Sequence, residues 1–272
     1  MQTFSASPVE MVLGLMRHRA LIRTLIWREV MGRYRGSVFG LLWSFVHPVL
    51  MLGVYTFVFS VVFKARWTQA TGSRAEFAMV LFAGLLVFNL FAECVNRAPG
   101  LILENANYVK RVVFPLEILP WVSVGVAVFH CLVGTLVWLV FHLALIGSPH
   151  PTLLLFPLAL LPMILLTTGC ALFLSALGVY LRDVGQFIGV LTTTLMFLSP
   201  IFYPVSALPQ EFQPLFMLNP LTVSVEQLRE VMYFGAVPDA ARYLAHLGIS
   251  CLVLAGGFAW FQRTRKGFAD VL

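Results

Sequence analysis

The feature that most confines this sequence is a succession of apolar runs between Val38 and Phe261, each about the length that crosses a bilayer as a helix, roughly twenty residues. Lipid offers no partner to an unpaired backbone N–H or C=O, so such runs must close their hydrogen bonds internally as helices. The chain is 60% hydrophobic and 11% charged, where a soluble domain carries about a quarter charged residues. It therefore reads as an all-α integral membrane protein.

Six transmembrane helices are expected, at about 38–63, 77–95, 121–146, 153–180, 187–199 and 243–261. Pro48 should bend the first. Pro157 and Pro162 interrupt the fourth, while Gly169, Ser175, Ala176 and Gly178 give it small surfaces for close helix contact. Residues 200–237 carry Pro200, Pro204, Pro209, Pro214 and Pro220 among leucines and aromatics. That stretch is too broken to span and too apolar for a free loop. Short re-entrant or interfacial helices fit it, with Leu221 to Phe234 the best helical piece.

Residues 1–36 form a separate unit, a basic amphipathic helix expected at the membrane interface. Leu21, Ile22, Leu25, Ile26 and Val30 recur at helical spacing. Arg17, Arg19, Arg23, Arg28, Arg33 and Arg35 supply the basic face. Such a helix seats its apolar side in the acyl boundary and its arginines among lipid phosphates. Beyond anchoring, Arg28, Arg33 and Arg35 are candidates to receive an anionic lipid-linked substrate, because the guanidinium fork binds two phosphate oxygens at once. With six spans both termini share one side. Lys64, Arg66, Arg74, Arg229 and Arg242 fall opposite, and the other thirteen of the 18 Lys and Arg lie with the termini. The termini are thus expected in the cytoplasm and 200–237 outside.

A polar island, Glu104 to Pro120, interrupts this apolar background with Glu104, Asn105, Asn107, Lys110, Arg111 and Glu117. It mixes charge with bulky apolar groups and falls on the cytoplasmic side, as a contact element gripped by another protein would. Candidate contact residues are Glu104, Asn107, Tyr108, Lys110 and Arg111. Glu93 near the end of the second span is expected to pair with Arg97 at i+4. His130 and His142 have no third polar partner at helical spacing.

No phosphate-binding GxxxxGK[ST] loop occurs, nor HExxH, GxSxG or clustered carboxylates. Cys94, Cys131, Cys170 and Cys251 each sit alone in an apolar run, without metal-ligand spacing. No catalytic residue, metal site or cofactor is assigned to this chain. The net charge of +6 reflects loop arginines rather than nucleic acid binding. Few ionisable groups lie in the spans, which argues against ion-coupled transport and points to an outside energy source.

Five stretches carry a resemblance: Trp27-Arg28-Glu29 with Arg33-Tyr34-Arg35-Gly36-Ser37 and Gly40-Leu41-Leu42-Trp43; Val109-Lys110-Arg111 with Phe114-Pro115-Leu116-Glu117-Ile118-Leu119-Pro120; Arg182-Asp183-Val184; Ser199-Pro200-Ile201-Phe202-Tyr203-Pro204; and Leu218-Asn219-Pro220-Leu221. In their order and spacing the chain resembles the membrane subunit of ABC-2 type exporters, in the branch that exports bacterial O-antigen, capsule and teichoic acid polysaccharides. The resemblance implies a homodimer in the bacterial inner membrane, bound to two copies of a separate ATPase subunit that holds ATP and Mg. It implies a coupling helix at about 99–111, periplasmic gate helices at about 200–237, and a polymer carried on undecaprenyl pyrophosphate or another lipid. Aromatic rings that stack on sugars without fixing a register suit a sliding polymer. Trp43, Tyr55, Phe59, Phe197, Phe202 and Tyr203 are the candidates for that path. Two rival readings are an ABC-2 exporter of drugs or small lipids and a membrane-embedded glycan or lipid transferase. These motifs do not distinguish among the polysaccharides.

Overall fold

The computed structural model describes residues 6–36, 39–62, 74–109 and 114–271, and among these every regular element is helical. Helix α1, Pro8–Arg33, starts where Ser7 Oγ accepts the Glu10 N–H at 3.1 Å and Pro8 needs no N–H partner. A single turn at Gly40–Leu42 leads into α2, Trp43–Thr56, which carries Pro48 internally and continues as a wider turn, Phe57–Val62. Helix α3, Arg74–Arg97, is followed by a tight turn at Ala98–Gly100 and two one-turn helices, α4, Leu101–Glu104, and α5, Ala106–Val109. Then come α6, Ile118–Leu145, α7, Phe156–Tyr180, and α8, Val184–Phe197. The Pro-rich stretch folds into α9, Gln213–Met217, and α10, Pro220–Arg229, which widens through Glu230–Phe234 and ends at Gly235 with a left-handed φ of 67°. Helix α11, Ala240–Thr264, and the short α12, Phe268–Val271, finish the chain.

Four helical stretches are long and apolar enough to cross a membrane: Ala75–Glu104, Ile118–Leu145, Pro151–Tyr180 and Ala240–Val271. At a rise of about 1.5 Å per residue each exceeds the roughly 30 Å hydrocarbon core. They correspond to the second, third, fourth and sixth expected spans. The first and fifth appear as shorter apolar helices, Trp43–Phe59 and Val184–Phe197. The fifth stops there because Pro200 disfavours helical backbone in the residue before it. By length alone, then, the described residues supply four spanning helices where six were expected.

Helix α3 is the hub. Phe77 through Leu86, Leu90 and Cys94 are buried together with Trp138 and Val137 of α6, Leu160 and Met163 of α7, and Val225 and Leu228 of α10. Within it the Trp138 indole donates to the Met79 carbonyl at 3.0 Å.

Helices α7 and α11 run side by side in the same direction. Tyr243 donates to the Leu158 carbonyl at 3.1 Å near their start, and Tyr180 donates to the Thr264 carbonyl at 2.7 Å near their end. The first bond has a specific cause. Pro162 lies inside α7 and has no N–H for the carbonyl four residues earlier, which is that of Leu158. The Tyr243 hydroxyl supplies the missing donor. In the middle, Gly169 and Gly257 let the two backbones touch: a Cβ on Gly169 would lie 2.6 Å from the Val253 carbonyl carbon. Gly178 similarly admits the backbone of Pro99.

Candidate functional site

The contact element is a small platform on an apolar base. Leu101 and Ile102 are buried with Leu116, Leu119, Leu172, Phe258, Phe261 and Phe268 in a second core beneath it. Glu104 and Asn107 remain exposed above that base, and Asn105 turns back to donate to the Leu101 carbonyl at 2.9 Å. Tyr108 faces inward instead. It stacks on Phe114 at 4.3 Å and accepts from the Arg28 guanidinium at 3.2 Å. Lys110 and Arg111 lie outside the described residues. Behind the platform Arg265 binds Glu117 at 2.5 Å and the Phe114 carbonyl at 3.1 Å, tying the end of α11 to it.

Helix α1 connects this platform to a cavity. Its inward face, Leu21, Ile22, Leu25 and Ile26, packs on Ile118 and Val122 of α6. Gly125 is the point where Ile26 seats against α6. Glu29 pairs with Arg97 of α3. One turn further on, Arg33 pairs with Glu93 at 2.7 Å, and Glu93 also meets His130 Nδ1 at 2.9 Å. With the proton on Nδ1 facing the carboxylate, His130 Nε2 accepts from the Tyr34 hydroxyl, 3.2 Å away. Burial pushes the Tyr34 phenol above its ordinary pKa, Arg33 opposes that shift and Glu93 adds to it, so the hydroxyl stays a donor.

These groups form the rim of a cavity of about 680 Å³ between α2, α3 and α6. Arg33, Tyr34, His47, Asn89, Glu93, Asn96 and His130 give it a polar side. Met51, Phe82, Leu85, Leu86, Cys131 and Gly134 give it an apolar one. Trp43 and Tyr55 line it from two ends of α2, about 18 Å apart along the helix. At the other end Tyr55 joins an aromatic cluster. Phe202, 6% exposed, stacks on Phe59 at 4.5 Å and lies 5.8 Å from both Tyr55 and Phe197. Tyr203 donates to the Phe197 carbonyl at 2.6 Å. Trp43 stands apart from that cluster, edge-on to Phe39 and 42% exposed.

Residues 20–233 match the description of the ABC-2 type transporter family. This chain belongs to that family. At 28% identity over 264 residues, covering 96% of this chain and 99% of the relative, the ABC-2 protein is similar to the O-antigen export system permease protein RfbA of Myxococcus xanthus. It is 24% identical over 262 residues, 93% of this chain and 96% of the relative, to the polysialic acid transport protein KpsM of Escherichia coli. A third relative is the capsule polysaccharide export inner-membrane protein CtrC of a serogroup B strain of Neisseria meningitidis, 27% identical over 221 residues and 80% of each chain.

Within the ABC-2 chain the structure rearranges several expected partnerships. Glu93 bonds Arg33 and His130 rather than Arg97 one turn away, because Arg97 is taken by Glu29 of α1. Of the arginines considered for lipid phosphate, Arg28 and Arg33 bond within the chain, and Arg35 is exposed in the turn that follows α1. His130, which had no third polar partner at helical spacing, gains two from other helices, Glu93 on Nδ1 and Tyr34 on Nε2. Tyr34 and His47 were not singled out for the cavity. The available signal was an acid at the end of one apolar run, a histidine inside another and an arginine just before a third. Among the described residues no three His, Cys, Asp or Glu side chains are placed to hold a metal ion.

Proposed function

We propose that this chain is the membrane subunit of an ATP-driven exporter that moves lipid-linked cell-surface polysaccharide across the bacterial inner membrane, with O-antigen the favoured cargo and capsule or teichoic acid polymers the alternatives. The reading is supported by membership of a transporter family and by similarity, over 80% or more of each chain, to proteins named for O-antigen export, polysialic acid transport and capsule polysaccharide export. The α2 and α8 helices join the four long ones as six spans, both termini face the cytoplasm, and residues 200–237 form gate helices on the outer side. Two copies of the chain flank the polymer path. Two copies of a separate ATPase hold ATP and Mg and seat on residues 99–111. The carrier is undecaprenyl pyrophosphate or a related lipid.

One observation carries the mechanical part of this reading. The platform with exposed Glu104 and Asn107 is joined to α1 through Tyr108–Arg28 and through Arg97–Glu29, and the same helix ends in the Arg33–Tyr34 rim of the cavity. A push on the platform therefore reaches the cavity mouth through one rigid helix. Because each link is a polar bond across a helix boundary, it can be exchanged without unpacking the apolar core.

The test is Glu104→Lys in the chain reconstituted with its ATPase. We expect the variant to fold, ATP hydrolysis to continue, and export to fall by about tenfold or more, within the usual range of a coupling free energy between sites. Reversal of Lys110 and Arg111 should act in the same direction. Unchanged export in these variants would remove the coupling role. Modification of cargo by the purified chain without an ATPase would favour a membrane-embedded transferase instead.

A further inference from the structure

Arg229 is 3% exposed at the end of α10, and all three of its nitrogens donate to backbone carbonyls. Nε donates to Val80 of α3 at 2.9 Å, Nη1 to Pro200 at 2.5 Å and Nη2 to Ile201 at 2.7 Å. The site is built on both sides. A Cβ on Gly84 would lie 2.6 Å from Arg229 Nη2, so only glycine leaves the guanidinium its place against α3. At the other end of α10, Asn219 caps the helix by accepting the Leu221 N–H at 3.0 Å. It also donates to Ser199 Oγ at 3.1 Å. The turn at 199–201 is thus gripped from both ends of one short helix.

Taking a guanidinium out of water costs several kcal/mol even when it is well bonded, and an apolar side chain often fills such a space at lower cost. Filling space therefore does not account for an arginine here. What its fork supplies is three fixed donors at one point. Two of the carbonyls it holds belong to the residues directly before Phe202, the ring that stacks on Phe59 and lies against Tyr55, which lines the cavity. A lysine ammonium in the same place is a point donor and does not fix both carbonyls together.

We propose that Arg229 is a positioning residue for the outer gate. It pins the Pro200–Ile201 backbone to α3 and thereby holds Phe202 as the plug between the cavity and the far end of α2. Opening at that end requires the two carbonyls to leave the guanidinium, and the three-way bond sets how readily they do so. The placement of this plug on the outer side rests on the topology proposed above; the pin itself does not.

Two measurements on the full-length chain test it. The first is amide hydrogen exchange of peptides covering 198–204 in the parent, Arg229→Gln, Arg229→Lys and Gly84→Ala. We expect exchange about tenfold faster in Arg229→Gln and Gly84→Ala, with an intermediate change in Arg229→Lys and α7 amides unaltered. The second uses Tyr55→Cys in a Cys131→Ser, Cys170→Ser and Cys251→Ser background, which leaves Cys94 as the one native thiol, labelled in intact cells by a membrane-impermeant maleimide. Labelling should rise by a similar factor in the Arg229→Gln and Gly84→Ala variants, while native Cys94, fully buried, stays unlabelled. Unchanged exchange at 198–204 overturns the pin, and unchanged labelling at position 55 overturns the plug. If Arg229→Gln exposes Cys94 as well, Gly84→Ala decides by the same two criteria. Neither readout needs the ATPase, so failure here is distinct from failure of the export reading.

Discussion

The α7–α11 pair and the α2 seam are both helix contacts in one apolar chain, yet they are made from different materials. Between α7 and α11, Gly169 meets the Val253–Leu254 backbone and Gly257 meets Gly169 itself; beside them Gly178 meets Pro99. Backbones in contact leave no space for a side chain to change rotamer, and small-residue contacts of this kind are how apolar helices associate where burial from water gives no drive. Helix α2 instead borders a cavity of about 680 Å³. It is held by rings at one end and bordered by the Arg33–Glu93–His130 cluster at the other. Gly53, in the last turn of α2, has nothing within 4 Å of where a Cβ would sit. On the proposed mechanism the first region is frame and the second the moving part. Motion belongs where contacts can be exchanged singly, and backbone packing cannot be.

Three substitutions, in decreasing order of expected effect, test that contrast. Gly178→Ala places a methyl group into the Pro99 backbone and should cost about 3 kcal/mol, as overpacking at a site without room does; thermal unfolding in detergent would record it. The sign matters, since the same change in an ordinary helix interior is favourable by up to about 1 kcal/mol. Glu93→Gln removes the carboxylate shared by Arg33 and His130 and should cost about 2 kcal/mol, the scale of a charged hydrogen bond. Faster amide exchange in the last turn of α1, with α7 unchanged, would locate that loss. Gly53→Ala should be neutral or stabilising by less than about 1 kcal/mol. A Gly53→Ala cost equal to that of Gly178→Ala would mean that α2 is as tightly packed as α7, and the distinction between frame and moving part would fail.

Much of the helical plan was legible along the chain. The second, third, fourth and sixth expected spans recur as α3, α6, α7 and α11, and Leu221 to Phe234 falls within the helical stretch that begins at Pro220. Gly169 and Gly178 were read as contact surfaces, and they are. Among the described residues the first span is represented by Trp43–Phe59, with Pro48 inside it, and the fifth by Val184–Phe197, displaced toward the N-terminus from the expected 187–199 because a helix ends before Pro200. Five of the six aromatics considered together, all but Trp43, do form one group. That Phe202 would be its buried centre was not readable.

What the sequence by itself determined is the solvent this chain accepts and the secondary structure that follows from it. Apolar runs in lipid must be helical, and proline and glycine mark where helices end, bend or touch. What only the tertiary structure decided is who pairs with whom. Helical periodicity reports neighbours three or four residues away, so it offered Arg97 to Glu93. The partners Glu93 takes are His130, 37 positions on, and Arg33 from another helix. Arg229 and Gly84 fit each other across α10 and α3 for the same reason. A charge in an apolar interior is held by whichever partner the packing brings within reach, and that choice is made by the whole fold rather than by any local stretch of it.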